Sequence, residues 1–142
     1  MKTRRLRFGR RGAARAAALL LAIGLAAACG FGKEDTSPEG QRAIRDVQEF
    51  RLPLGNTVAD GVSRWVYARE DANDEITGRM WHAFRSVGLG GPSYHVAFRY
   101  DRVAHGDVPV QEKNQEIRFL YRPRDHAVEP ENALARHVMG QE

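Results

Sequence analysis

The stretch YHVAFRYDRV, residues 94–103, alternates apolar and polar side chains with a period of two. Its apolar side is formed by Val96, Phe98 and Tyr100. Successive side chains of an extended chain point to opposite faces, so this alternation is typical of a β-strand that is buried on one face. The stretch therefore predicts a strand whose apolar face lies in a core. The prediction of the fold class starts from this strand.

The same alternation recurs in three further segments, residues 62–70, 76–87 and 116–123. The intervening segments are rich in turn-forming Gly, Asp, Asn and Ser: residues 71–74, 88–93 and 104–115. Because short connections favour pairing between consecutive strands, we expect an antiparallel meander of roughly four strands.

Helices are predicted on both sides of this meander. Ser37-Pro38-Glu39 is typical of a helix start, with serine as the N-cap and proline in the first turn, and the helix should continue through residue 51. A short C-terminal helix is expected to end at Gly140. Residues 54–61 are compatible with either a tight turn or a short helix capped by Thr57. The sequence thus predicts an α+β domain in which an N-terminal helix packs on the sheet.

The second to fourth predicted strands divide into two faces. One is apolar and predicts the core surface: Met80, Phe84, Val96, Phe98, Tyr100, Ile117, Phe119 and Tyr121. The other collects mainly arginines: Arg79, Trp81, Arg85, Arg99, Asp101, Arg118 and Arg122. Guanidinium groups near an aromatic ring can stack on it and donate forked hydrogen bonds to an anionic partner, so these arginines and the tryptophan form a candidate partner-binding face. The alternative is a solvated face whose arginines pair with local acids.

Residues 1–28 have the layout of a secretory signal peptide. Residues 1–15 contain seven basic side chains and no acid, and residues 16–28 carry no charge. The strongly apolar part, about 13 residues, would cover about 20 Å of a hydrocarbon core roughly 30 Å thick, which disfavours a membrane-spanning helix. Either the general secretory route or twin-arginine export is compatible with the arginine pairs at residues 4–5 and 10–11.

The apolar segment ends on Ala26-Ala27-Ala28-Cys29, and Cys29 is the only cysteine of the chain. This ending resembles the lipobox of bacterial lipoprotein signals, although that family prefers leucine at the position of Ala26. The resemblance implies that the thiol of Cys29 receives lipid chains and that residues 1–28 are removed. Residues 29–37 would then tether a single domain, residues 38–142, to a membrane. The alternatives are an ordinary cleaved signal and an uncleaved anchor.

Cleavage before Cys29 would reverse the sign of the net charge. The chain carries 22 basic and 18 acidic side chains, and loss of the seven basic residues would leave 15 against 18, a formal net charge of −3. A nucleic-acid partner, which requires a basic surface, is therefore not expected.

No strong catalytic or metal-binding motif follows the signal. His82 falls between two apolar residues, which favours a hydrogen-bonded core histidine, and the other histidines lack metal-ligand spacing. Asp101, His105 and Asp107 are close enough along the chain to share a cation, but an ordinary polar loop is the favoured explanation. We therefore expect no catalytic, cofactor-binding or metal-binding residue, and no cofactor.

Three classes of function remain open. The first is a lipid-anchored protein of the bacterial cell envelope, facing the periplasm or the exterior, whose domain binds another protein without catalysis. In layout it resembles the small lipoprotein subunits of outer-membrane protein assembly, but no residue motif of that family is present. The second is a module binding a glycan, a lipid or a metal, which would need a lined cavity between helix and sheet. The third is a cell-wall hydrolase, which would need an activated nucleophile or paired carboxylates in a cleft.

Overall fold

The structure, a computed structural model, describes residues 32–141. The elements follow in the order α1 (Pro38–Glu49), α2 (Val58–Asp71), β1 (Asp74–Gly88), β2 (Gly91–Ala104), β3 (Val110–Arg122), β4 (Ala127–Pro130) and α3 (Ala133–Val138). The predicted signal peptide and Cys29 lie outside the described residues.

The four strands form one antiparallel sheet in the order β1-β2-β3-β4. Apolar residues of all three helices join those of the sheet in a single core, so the helices cover one face, which we call the helix side. The opposite face is called the outer face. The α+β prediction, with an N-terminal helix on an antiparallel sheet and a short C-terminal helix, is confirmed.

The start of α1 is as predicted, and capping residues fix it. The Ser37 side chain accepts a hydrogen bond from the Gly40 N–H, Pro38 opens the helix and Glu39 lies in the first turn. Ala43, Ile44 and Val47 are buried on one side of the helix, at the spacing of a core-facing stripe.

The prediction of a strand over residues 62–70 is wrong, because this segment belongs to α2. Thr57 and Asp60 form a capping box: each side chain accepts a hydrogen bond from the backbone N–H of the other residue. The buried residues Val58, Val62, Trp65 and Val66 follow helical spacing, so one side of the helix packs in the core. Of the two alternatives for residues 54–61, the helix capped by Thr57 is the correct one.

β3 and β4 also differ from the prediction: β3 is longer than predicted, and β4 was not predicted. β3 begins at Val110, within the segment predicted as a loop, and pairs with β2 as far as Ala104. The fourth strand is β4, only four residues long, which pairs with the end of β3.

A β-bulge reverses the two faces along most of β1. The register shifts between Thr77 and Met80, and Gly78 adopts a positive φ of 63° there. The bulge inserts one residue, and a shift of one residue moves every later side chain to the opposite face. Met80, predicted in the core, is therefore 58% exposed, whereas Trp81 packs against the core.

The apolar face is otherwise as predicted on β2 and β3. Six of its eight predicted members belong to the core: Val96, Phe98, Tyr100, Ile117, Phe119 and Tyr121. Phe84 is buried, but it lies on the outer face, because it follows the bulge. α3 closes the core at the far end of the chain and is terminated at Gly140 as expected.

Candidate functional site

The bulge divides the predicted arginine face between the two sides of the sheet. Trp81 packs on the helix side, with its ring centroid 5.3 Å from that of Phe98. Arg79 also lies on the helix side, where it forms an ion pair with Glu70 of α2. Arg85 lies on the same side, because it is the cross-strand neighbour of the buried Tyr94. Arg99, Arg118 and Arg122 alternate with core residues of β2 and β3 and lie on the outer face. A single face carrying all six residues is therefore a wrong prediction, and the extra residue at Gly78 is its physical cause.

The helix side carries a shallow groove of about 160 Å³ between α2 and β1. We call it the helix-side groove, and it is lined by Ala59, Val62, Ser63, Val66, Tyr67, Arg79, Trp81 and Phe98. Tyr67 is 64% exposed, whereas Trp81 is partly buried against the core. The Nε–H of Arg79 donates to the Ile76 carbonyl at 3.1 Å, which holds the guanidinium beside the groove. The arrangement can accept an apolar side chain next to the ion pair of Arg79 and Glu70.

Two outer-face arginines are paired with acids of adjacent strands. Arg99 donates through Nε and Nη2 to Oε1 of Glu116, at 3.0 and 2.7 Å, and Arg122 pairs with Glu129. The backbone of Arg118 is bound on both sides, because its N–H donates to Asn132 Oδ1 and its carbonyl accepts from the Glu131 N–H. Surface pairs of this kind typically contribute about 0–1 kcal/mol, so they match the solvated-face alternative.

The residues just before α1 are attached to the exposed edge of β1. Glu34 forms an antiparallel bridge with Phe84, and the Asp35 N–H donates to the Ala83 carbonyl at 2.7 Å. Oε1 of Glu34 lies 2.8 Å from Nδ1 of His82. His82 is 8% exposed and hydrogen-bonded as expected, but its predicted place in the core is wrong, because it lies on the outer face. Residues 34–37, which were predicted as part of a tether, therefore belong to the folded domain.

Asp35 is held by local hydrogen bonds as well. Its Oδ1 accepts the Ser37 N–H at 3.0 Å. Hydrogen bonds from the Ser37 side chain and backbone lower the pKa of the Asp35 carboxyl below its ordinary value. The carboxylate therefore stays charged to lower pH than an ordinary aspartate, and its hydrogen bond to the Ser37 N–H fixes the turn that leads into α1.

A second histidine on the outer face also meets a carboxylate. Nδ1 of His95 lies 2.8 Å from Oε1 of Glu131, and the other oxygen of Glu131 is buried with no hydrogen bond within residues 32–141. Among the same residues, no three His, Cys, Asp or Glu side chains are grouped so that they could hold a metal ion. Asp101 instead accepts the Asn114 N–H at 2.8 Å.

The end of the sheet formed by the β1–β2 hairpin carries a pocket next to exposed apolar side chains. A pocket of about 210 Å³, the hairpin-tip pocket, is lined by Ser86, Gly88, Gly90, Gly91, Pro92, Ser93, Leu120, Arg122, Arg124 and Asp125. Beside it Val87 is 72% exposed and Leu89 fully exposed. The sequence predicts only a turn at these glycines, because the two arginines of the pocket are distant in the chain: Arg122 ends β3 and Arg124 follows it in the β3–β4 connection.

One sequence signal would have improved the site prediction. A lone glycine inside a strand pattern, here Gly78, marks a bulge and the change of face that follows it. Glu34 carried no such signal, since an acid in a polar stretch does not indicate pairing with a strand 50 residues away.

No helix in the described part of the chain is both long and apolar enough to cross a membrane. No family model, curated protein or solved structure matches the sequence or the fold.

Proposed function

We propose that the chain is a lipid-anchored protein of the bacterial cell envelope whose α+β domain binds another envelope protein. The observation that carries the proposal is the position of Cys29, a single cysteine after three alanines at the end of an uncharged apolar segment. Two or three acyl chains on one residue hold a protein at a bilayer far more firmly than a single chain does. The domain would then face the periplasm or the cell exterior.

The shape of the domain supports a protein partner over a small ligand. The space between the helices and the sheet is filled by side chains such as Trp65, Phe98 and Phe119. Three surface pockets within residues 32–141, of about 100–210 Å³, are smaller than the roughly 300–1,000 Å³ typical of ligand sites.

The helix-side groove is the proposed contact site, and its occupant is an extended segment of the partner that carries a large apolar side chain. Trp81 and Tyr67 offer aromatic surface of the kind enriched in protein interfaces, and Arg79, paired with Glu70, lies at the side of the groove. The groove adjoins the edge of β1, which already accepts an extended segment at Glu34. Main-chain hydrogen bonds to a strand edge are a common way to bind extended peptides.

The anchor is tested by mass spectrometry of the mature protein purified from bacterial membranes. We expect the chain to begin at Cys29 and to carry the mass of its acyl chains, and Cys29→Ala to release the protein from the membrane fraction. Ala26→Leu, which restores the residue that the lipobox family prefers, should be processed at least as well as the wild type. A free thiol at Cys29, or residues 1–28 still attached, would refute the anchor.

Partner binding is tested by filling the groove from its exposed side. Ser63→Arg places a long side chain in the groove, whereas Ala68→Arg makes the same change at an exposed position of α2 outside it. After crosslinking in native membranes, a specific envelope protein should be recovered with wild type and Ala68→Arg and lost with Ser63→Arg, at unchanged melting temperature. Equal recovery with all three would exclude the groove as the contact.

A further inference from the structure

The pairing of Glu34 with β1 sets the direction in which the chain reaches its N-terminal side. The bridge to Phe84 is antiparallel, so the chain at Glu34, followed toward its N-terminal side, is directed toward the hairpin between β1 and β2. Cys29 precedes Glu34 by five residues, which span at most about 17 Å when extended. Leu89 follows Phe84 by the same number of residues, so the hairpin tip is within this reach.

The other end of the sheet is not within this reach. Asp74, at the start of β1, lies ten residues before Phe84, which corresponds to roughly 33 Å along an extended strand. The β2–β3 connection, with its exposed Val108, lies at that distant end, because Asp74 pairs with Ala104. A lipid anchor at Cys29 would therefore hold the hairpin end of the domain near the bilayer and leave the β2–β3 end away from it.

The hairpin end has the chemistry of a bilayer interface. Val87 and Leu89 expose apolar side chains at its tip, and Arg124 lies exposed beside the hairpin-tip pocket. Arg122 is held by Glu129, so Arg124 is the arginine better placed to meet a lipid phosphate. Asp125 also lines the pocket, and its carboxylate limits the net positive charge there.

We propose that the β1–β2 hairpin tip rests in the interface of the bilayer that holds Cys29, with Leu89 among the upper acyl chains and Arg124 against lipid phosphates. The inference rests on the proposed lipid anchor and adds an orientation to it. The helix-side groove would then open laterally, along the envelope space, where a partner can approach.

Depth-dependent fluorescence quenching tests this orientation in the mature acylated protein reconstituted into vesicles. Because the sulfur of Cys29 carries lipid, Leu89→Cys introduces the single free thiol, which takes a polarity-sensitive fluorophore. Val108→Cys is the matched control, since it is also an exposed apolar residue but lies at the opposite end of the sheet. Nitroxide-labelled lipids should remove most of the emission at position 89 and leave position 108 unchanged. Equal quenching at both positions, or none at position 89, overturns the proposal.

Two further measurements separate the possible failures. The acyl mass on Cys29 is determined in the same preparation: an unmodified Cys29 overturns the anchor and the orientation together, whereas an acylated Cys29 with an unquenched position 89 overturns the orientation alone. In the Leu89→Cys background, Arg124→Glu should weaken quenching, and Arg136→Glu on α3 should not. Unchanged quenching in Arg124→Glu overturns the phosphate contact.

Discussion

Gly40 in the first turn of α1 lies directly against the backbone of Asp35. A Cβ atom on Gly40 would stand 2.1 Å from the Asp35 carbonyl oxygen, and the Asp35 N–H donates to the Ala83 carbonyl on the other side. The segment before α1 is thus confined between the helix and the edge of β1. A force on the residues before Asp35 would therefore be transmitted to the contact between Asp35 and Gly40.

Gly40→Ala should destabilise the domain and loosen the segment at Asp35. Alanine ordinarily favours a helix over glycine by about 0.5–1 kcal/mol, but the clash with backbone should cost about 1–3 kcal/mol. Urea unfolding gives the net loss, and faster hydrogen exchange at the Asp35 amide locates it. Gly32→Ala, where a Cβ would meet nothing within 4 Å, is the control. A Gly40→Ala protein as stable as wild type would contradict the close contact.

Thr57→Ala should weaken α2 by removing one half of its capping box. The Thr57 hydroxyl accepts the Asp60 N–H at 3.2 Å, and loss of an N-cap typically costs about 1 kcal/mol. Ser63→Ala, at an exposed position within the same helix, should cost nothing. Denaturant unfolding followed by circular dichroism compares the two, and equal stability would argue against the helix start at residue 58.

Gly78→Val should be much more harmful than Gly78→Asn. The positive φ of Gly78 costs an ordinary residue about 1–2 kcal/mol and a β-branched one more, whereas asparagine tolerates this region. Thermal unfolding measures the difference, and fluorescence reports on the burial of Trp81. If both variants melt together near the wild-type temperature, the bulge is not at Gly78.

Tyr121 should make stability fall with pH in the alkaline range. Burial, and then the hydrogen bond that its hydroxyl donates to Asp46 at 2.6 Å, raises the pKa of Tyr121 to about 12. Below about pH 10 the phenol is protonated in both states, so the stabilisation is complete. Between about pH 10 and 12 only the unfolded state loses the proton, and stability falls by up to about 2 kcal/mol.

Tyr121→Phe should remove this part of the alkaline fall and cost about 1 kcal/mol at neutral pH through loss of the hydrogen bond. Tyr67→Phe, at an exposed tyrosine, should retain the wild-type profile. Urea midpoints measured from pH 8 to 12 provide the comparison. Identical slopes for wild type and Tyr121→Phe would mean that the Tyr121 phenol ionises as readily in the folded protein as in the unfolded chain.

The parts of the fold that were predicted correctly depend on local chemistry. The cap formed by Ser37 and Pro38 needs only neighbouring residues, and the alternation through Val96 and Phe98 needs only a sheet with one buried face. Residues 62–70 were mispredicted because Val62 and Val66 fit both a period of two and a spacing of four. The local signal that decides between them, the capping box of Thr57 and Asp60, stands outside the alternating segment.

Local sequence patterns were enough to predict the fold class, the start of α1, the stop of α3 at Gly140, and the apolar faces of β2 and β3, whereas α1 ends at Glu49 and not at residue 51. Only the tertiary structure decided which side of the sheet receives Trp81 and Arg79, and that Glu34 belongs to the folded domain. The reason is that one inserted residue exchanges the two faces of a strand. Packing of the Trp81 ring against Phe98 favours the helix side for Trp81. Local backbone propensity does not distinguish between the two faces of the strand.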